Sequence, residues 1–370
     1  MSNKKGKSAP AKQVNPIVAE FQASCKALNF AEEDIMTDIG NSLNQSETQI
    51  RLTHKNISPA LGKVLLRLFQ RYQRLQAITL FSCVILDPAF LKQLGTDLVK
   101  SPVTSLSFDY SPIQREALIP FLNLPSLDVL SLRGNQCLTP YDYIKMTQNP
   151  FPQTLNTFYN ALTTSNLKVL NLYGCHLGDD GTIALANALY FNTSLKCLCL
   201  SRNRVGDAGA NALASALSYY TLSEAETAIV DRLMNEESKQ RISDEGGSLV
   251  KRKKGQKAPP KKAPPKTNKK GQPSKVPTER LLNFDPTTPV MAAVLAKWNT
   301  CVTKENGTRV LPGNTTLSTL ILDENQITGS GAARLGEMLK ENAHIVHFTI
   351  ANNPEIEPAE EKSLTRVIQE

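Results

Sequence analysis

One recurring pattern constrains this chain more than anything else in it: L-x-x-L-x-L-x-x-N/C-x-L, with other aliphatic residues standing in for leucine. Leu75-x-x-Ile78-x-Leu80-x-x-Cys83-x-Ile85 is followed by Val103…Leu106-x-Phe108-x-x-Ser111-x-Ile113 and Leu127…Leu130-x-Leu132-x-x-Asn135-x-Cys137. Leu167…Leu170-x-Leu172-x-x-Cys175-x-Leu177 and Leu195…Leu198-x-Leu200-x-x-Asn203-x-Val205 come next, and Leu317…Leu320-x-Leu322-x-x-Asn325-x-Ile327 lies far downstream. Weaker copies flank the array at Ile50-x-Leu52 and at Ile345…Phe348-x-Ile350-x-x-Asn353, making about eight in all. Self-similarity of this length and number means stacked units, each too small to bury its apolar face alone.

Each part of the pattern has a physical task. The alternating L-x-L is a short strand with one face inward, because side chains alternate with a period of two. The asparagine or cysteine stands where the chain leaves the strand and can satisfy backbone groups that have lost their ladder partners. Gly178-Asp-Asp-Gly181 and Gly206-Asp-Ala-Gly209 read as turns into helices over 182–192 and 210–220, with a third helix over 332–342. Repeat starts at 75 and 103, 167 and 195, and 317 and 345 are 28 residues apart, long enough for a full helix in each unit. The expectation is an α/β fold: a horseshoe-shaped solenoid of about eight strand–helix repeats of 28 residues, strands on one wall and helices on the other.

Two spacings depart from the rule. Leu127 to Leu167 is 40 residues, an excess of about 12 that carries Pro150 and Pro152. Leu195 to Leu317 is 122 residues, which lodges about 94 extra residues inside one repeat. In that insertion Ser223-Glu-Ala-Glu226 forms a capping box for a helix reaching about Arg241. Residues 251–275 are rich in lysine and proline and cannot bury a core, which predicts a disordered or extended low-complexity tract. Thr288-Pro289 opens another helix before the chain re-enters the array at Asn314. The expected organisation is a disordered basic N-terminus over 1–16, a helical cap over 17–46, repeats over 47–220 and the insertion over 221–313. Two closing repeats over 314–356 and a helical cap over 357–370, with its helix from Pro358 to Ile368, complete it.

The formal net charge of +8 is unevenly spread. Lys251, Arg252, Lys253, Lys254, Lys257, Lys261, Lys262, Lys266, Lys269, Lys270 and Lys275 form one acid-free tract, and residues 1–12 hold four more lysines. The remainder carries about −7, so the basicity sits on interaction tails and not on a folded nucleic-acid-binding domain. No apolar h-region follows the first lysines, and no run reaches the roughly 18 apolar residues of a membrane span. Neither secretion nor a membrane partner is expected, and the seven cysteines then read as reduced intracellular thiols.

Where the leucines of a strand face inward, the alternate positions face out along the other wall. Phe81, Asp109, Val129, Arg133, Val169, Tyr173, Cys197, Cys199, Ile321 and Asp323 are the positions expected to line a concave partner-binding surface. Exposed apolar side chains on a rigid wall suit a helix or loop of another protein, with the chain's own insertion as an alternative occupant. Cys197 and Cys199 share a face, yet no second Cys or His pair has zinc spacing, and His344-x-x-His347 lacks the helix of a zincin motif. No phosphate loop, Rossmann fingerprint or Ser/His/Asp set is present, so no catalytic residue, cofactor, metal or small-molecule substrate is expected. The basic tract can attract an acidic protein surface, such as tubulin tails, through long-range attraction that salt weakens. Its almost pure lysine content, without interleaved aromatics or arginine forks, argues against nucleic acid. KRKK at 251–254 also fits a nuclear import signal, and a solvated linker is the remaining reading.

Over about residues 47–356 the repeats resemble the ribonuclease-inhibitor class of leucine-rich repeats. The interruption is more particular. SALSYYTLSEAETAIVDRL, a Lys/Pro-rich tract and re-entry through NGTRVLPGNTTLSTLILDENQIT, together with FLNLPSLDVLSLRGNQ, resemble the family of leucine-rich repeat-containing protein 71. The insertion is shorter here than in that family. The resemblance implies a non-catalytic protein–protein interaction scaffold, a structural component of the ciliary or flagellar axoneme. It also implies other axonemal proteins as partners and a place in the cytoplasm and cytoskeleton. Two further readings stand beside it: a cytosolic signalling regulator or adaptor on the same solenoid, and a nucleic-acid-associated adaptor working through the basic tract.

Overall fold

The computed structural model describes residues 15–138, 141–142, 147–148, 153–224, 227–228, 231–232, 235, 293, 296–305 and 307–367. Residues 1–14 and the whole basic tract, 251–275, lie outside the described residues, and so do the expectations placed on them. The chain divides into two compact units, one of residues 1–218 with 314–370, the other of residues 219–313.

In the larger unit each L-x-L segment is a strand: β1 (Gln49–Thr53), β2 (Ala77–Phe81), β3 (Ser105–Ser107), β4 (Val129–Ser131), β5 (Val169–Asn171), β6 (Cys197–Cys199), β7 (Thr319–Ile321) and β8 (His347–Thr349). They lie side by side in chain order and all pair in parallel. Ile50, Ile78, Leu106, Leu130, Leu170, Leu198, Leu320 and Phe348 are cross-strand neighbours in one row. The ladder passes from Leu198 to Leu320 without a slip, although the insertion separates them in sequence. These side chains are no more than 1% exposed, as are their companions two residues on, from Leu52 to Ile350. Burying one such side chain contributes about 2 kcal/mol. A one-residue slip would turn all of them to solvent, which fixes the register.

Helices fill the return path of each unit. They are α1 (Pro16–Ala27) and α2 (Glu33–Leu43) before the sheet, then α3 (Pro59–Arg71), α4 (Pro88–Asp97), α5 (Ile119–Leu122) and α6 (Gln153–Thr163). After these come α7 (Gly178–Phe191), α8 (Asp207–Leu217), α9 (Gly329–Glu341) and α10 (Pro358–Leu364). Their starts are locally encoded. The side chains of Asn15, Ser58, Asp87 and Thr328 accept from the N–H groups of Ile17, Leu61, Ala89 and Ser330 at 3.2, 3.2, 2.9 and 3.2 Å. Pro16, Pro59 and Pro88 hold the first helical position, where the missing N–H costs nothing.

Four details differ from the sequence reading. Helices α7, α8 and α9 begin inside the glycine turns, at Gly178, Asp207 and Gly329, and Gly178 itself has a left-handed φ of 60°. Helix α8 stops at Leu217, and Tyr220–Thr221 is a strand instead. A full helix does not occupy every unit: β3 and β4 start only 24 residues apart, and Pro112 and Pro120 interrupt the return. That unit holds a 3-10 turn at Arg115–Ala117 and the short α5. The C-terminal helix ends at Leu364, and Arg366–Val367 (β9) pairs antiparallel with β8. The open edge of the last parallel strand supplies backbone partners, and Thr365 and Val367 are β-branched residues that accept an extended backbone.

Two asparagine ladders and an aspartate relay tie neighbouring units together. Asn135, Asn203, Asn325 and Asn353 are buried, and each amide donates to a carbonyl of the preceding unit: Phe108 at 2.7 Å, Leu172 at 2.7 Å, Leu200 at 3.0 Å and Leu322 at 3.1 Å. Ser111, Cys83 and Cys175 hold the same place with weaker donors, to Leu80, Leu52 and Leu132 at 2.8, 3.4 and 3.1 Å. The second ladder is Asn192, Asn314 and Asn342, which donate back to Leu162, Leu189 and Leu217 at 2.7, 2.6 and 2.8 Å. In the relay, Asp179 accepts from the N–H groups of Gly206 and Gly209, both at 2.8 Å. Asp207 accepts from Thr328 N–H at 2.9 Å, Thr328 hydroxyl at 2.7 Å and Gly331 N–H at 3.1 Å. A Cβ on Gly331 would lie 2.5 Å from that carboxylate, so glycine is required there.

Burial alone would raise the Asp207 carboxyl, but the hydrogen bonds from Thr328 and Gly331 outweigh it and hold it below its ordinary value. A depressed folded value means the contribution is present above the unfolded value and lost as pH falls through the folded one. Asp207→Ala is expected to lower the stability of the larger unit by about 2 kcal/mol at neutral pH. In urea titrations the gap from the parent should close below about pH 4.

The smaller unit is built on an antiparallel sheet in which Arg309–Leu311 lies between Tyr220–Thr221 and Val302–Thr303. Leu222, Trp298, Val310 and Leu311 are buried in it, and Arg309 pairs with Asp231. Lys297 donates to the Gly313 carbonyl at 2.6 Å, and burial lowers its ammonium pKa to about 8. Residues 224, 227–228, 231–232 and 235 are helical where a helix is expected after Ser223, as are 293 and 296–298 in the second expected helix. Arg241, Thr288 and Pro289 lie outside the described residues.

Candidate functional site

The solvent-facing positions of the eight strands align as strictly as the core. Val129, Val169 and Cys197 are neighbours in one row, between Ser105 and Thr319. Cys199 and Ile321 are neighbours in the next, which continues back through Asn171, Ser131, Ser107 and Thr79. Between β2 and β4 both rows carry small side chains. A third row extends the register past the strand ends. Ser82 N–H donates to Asp109 carbonyl at 2.8 Å, Tyr110 to Arg133 at 2.7 Å, Gly134 to Tyr173 at 2.8 Å and Arg202 to Asp323 at 3.0 Å. The ten positions read from the sequence as the surface therefore fall in three adjacent rows, with Phe81, Asp109, Arg133, Tyr173 and Asp323 in the third.

The residue after the third row has left-handed backbone in every unit. The φ values are 56° at His54, 52° at Ser82, 53° at Tyr110, 71° at Gly134, 65° at Gly174, 58° at Arg202, 55° at Glu324 and 58° at Asn352. An L side chain costs about 1 kcal/mol or more in that region, so six non-glycine residues there are held by their surroundings. The turn takes these side chains out of the inward–outward alternation. His54, Tyr110, Arg202, Glu324 and Asn352 are exposed.

The third row and the left-handed row interleave into a ridge. The His54 and Phe81 rings meet edge-on at 5.9 Å, and Phe81 meets Tyr110 at 5.5 Å. The Arg133 guanidinium lies 5.7 Å from the Tyr110 centroid and 4.3 Å from that of Tyr173. Arg202 lies 5.9 Å from the same Tyr173 ring, donates to its hydroxyl at 3.1 Å and pairs with Glu324 at 3.0 Å. Asp109 accepts from the Ser131 hydroxyl at 2.6 Å and the Arg133 N–H at 3.1 Å. Gly134 lets Tyr110 lie down along the ridge, since a Cβ there would be 2.3 Å from the ring. Ring–ring and cation–ring contacts of this kind contribute about 1 kcal/mol each, enough to set rotamers on an open surface.

Of the ridge, the sequence reading found Phe81, Asp109, Arg133 and Tyr173 and missed His54, Tyr110, Arg202 and Glu324. The available signal was the residue directly before the template's polar position, as in Tyr110-Ser111, Arg202-Asn203 and Glu324-Asn325. Strict alternation assigns that position to the interior, so the pattern hides it.

Cys197 and Cys199 face the same way, partly exposed on either side of buried Leu198. Burial first, and the neighbouring Cys199 second, raise the Cys197 thiol above its ordinary value. Cys83 and Cys175 are fully buried, and burial pushes both thiols up. In the native protein, iodoacetamide followed by peptide mass mapping should label Cys197 and Cys199 well before Cys83 and Cys175. Labelling of Cys197 and Cys199 only after denaturation would mean that the chain covers its own strand face. Among the described residues no group of three or more His, Cys, Asp or Glu could hold a metal ion. Among them, too, no helix is long and apolar enough to cross a membrane.

Against curated proteins the chain has no match. A family model described as a leucine-rich repeat matches residues 164–186, 191–214 and 313–336. The last two matches stand on either side of the insertion, over the strand–helix pairs β6–α8 and β7–α9. These three stretches of the chain are leucine-rich repeats.

Proposed function

We propose that this chain is a non-catalytic scaffold, a horseshoe-shaped solenoid of eight repeats whose strand-lined wall holds a protein partner in the axoneme of a cilium or flagellum. The observation that carries the scaffold reading is the register, in which three rows of outward side chains run unbroken from β1 to β8 and across the insertion. Side chains fixed on strands about 4.8 Å apart form a preordered surface. A preordered surface loses little conformational entropy when a partner docks. The axonemal place is supported by the interrupted array and its resemblance, and by the charge of the tract from Lys251 to Lys275, which suits tubulin or another acidic surface.

The test is the position of the tagged protein in a flagellated cell, followed by salt extraction of isolated axonemes. Signal along the axoneme that survives detergent and leaves only in high salt is the expected result. A diffuse cytosolic or nuclear signal would remove the axonemal reading and leave the scaffold to act elsewhere.

A further inference from the structure

We infer that the ridge centred on Arg133 receives an extended peptide segment of the partner protein, one acidic side chain of which pairs with the Arg133 guanidinium. This rests on the scaffold reading and adds to it the chemistry of what is bound. Arg133 is exposed, and its guanidinium is held against the rings of Tyr110 and Tyr173 at 5.7 and 4.3 Å. Among the described residues no carboxylate forms an ion pair with it. The near candidate, Asp109, is engaged by the Ser131 hydroxyl and by Arg133's own backbone N–H. Arg202, one unit along the same ridge, shows the contrast: it already has Glu324 at 3.0 Å. The Tyr110 and Tyr173 hydroxyls engage part of its N–H set. A guanidinium carries five such donors, and those left open can meet a carboxylate with two parallel hydrogen bonds.

The same geometry argues against a nucleic acid. Bases would stack on open aromatic faces, but Arg133 lies against both tyrosine rings and Arg202 against Tyr173. The carboxylates of Asp109, Asp323 and Glu324 punctuate the row and would repel a backbone charged at every step, whereas a peptide needs to place only one acid. The chain's own lysine-rich tract carries the wrong sign for Arg133.

The experiment selects a random-peptide display library on the full chain, on Arg133→Gln, on Arg133→Lys, and on a chain whose tract residues Lys251 to Lys275 are replaced by serine at each basic position. Selected peptides are then titrated by fluorescence anisotropy beside their Asp/Glu-to-Asn/Gln counterparts and a uridine homopolymer. The expected result is acidic peptides that bind the parent and the tract variant alike. R133Q should weaken them about tenfold or more, with R133K nearly as weak because the fork is lost. Selected peptides without an acidic preference, or acidic ones that keep their affinity for R133Q, would overturn the inference. So would acidic peptides lost only with the tract, a uridine homopolymer displaced by R133Q, or a library that yields no binder. Protein complexes held equally by parent and R133Q in native extracts would leave the scaffold reading standing while the ridge inference fails. A parent chain that holds no protein there would remove both.

Discussion

Replacing Asn203 by Leu should lower the stability of the larger unit by about 4 kcal/mol in denaturant titrations. Asn203 is 0% exposed, and every polar atom of its side chain is used. Its amide donates to Leu172, Leu200 and Ser201 carbonyls at 2.7, 2.9 and 3.1 Å, and its oxygen accepts from Leu177 N–H at 3.3 Å. The backbone N–H of Asn203 is in turn claimed by Asn325 at 2.9 Å, on the far side of the insertion. Leucine matches the volume but removes one donor from each of these carbonyls, which keep the Cys175 N–H, the Asn325 amide and the Gly174 N–H, and leaves the Leu177 N–H buried without an acceptor. The lost bonds cost about 1 kcal/mol each and the unpaired N–H about 1–3 kcal/mol. The loss should appear as earlier amide exchange in both β5 and β6, because the bonds run between units. Loss confined to one strand would contradict the ladder.

Asn314→Ala should cost about 3 kcal/mol and act at the point where the chain re-enters the array. Its amide donates to Leu189 and Asn192 carbonyls at 2.6 and 2.7 Å, and its oxygen accepts from Thr316 and Leu317 N–H groups at 2.9 and 2.8 Å. Its own N–H donates to Ala216 at 2.8 Å, so one residue joins the two sides of the insertion in the larger unit. The expected signature is early hydrogen exchange in β7 and β8 while β1 to β4 keep their protection. Uniform loss over all eight strands would mean that the array unfolds as a single block.

Strand positions, register and inward leucines were legible because they depend on a period of two and a repeated spacing, both carried by residues such as Leu198 and Leu320. The task of Asn203 and Asn325 was legible in kind, since the polar position closes each template copy. The second ladder was not read, though Asn192, Asn314 and Asn342 each precede the next template leucine or isoleucine by three residues. Asparagine near a helix end has many local uses, and only the stacked neighbours at Leu162, Leu189 and Leu217 select this one. Tyr110 and Arg202 were hidden for a different reason: a left-handed residue breaks the alternation, and that conformation is imposed by the turn and the neighbouring unit. The strand at Arg366–Val367 could not be read from a segment that also suits a helix, because its cause is the open edge of β8.

On the reading proposed above, a protein partner is held on the outward rows of the sheet and on the ridge above them. Hydroxyl-radical footprinting of the natively isolated complex, against the purified chain, tests it most directly. Phe81, Tyr110 and Tyr173 are expected to be oxidised in the free chain and protected in the complex. Full oxidation of all three in the complex, with protection confined to residues 219–313, would contradict it.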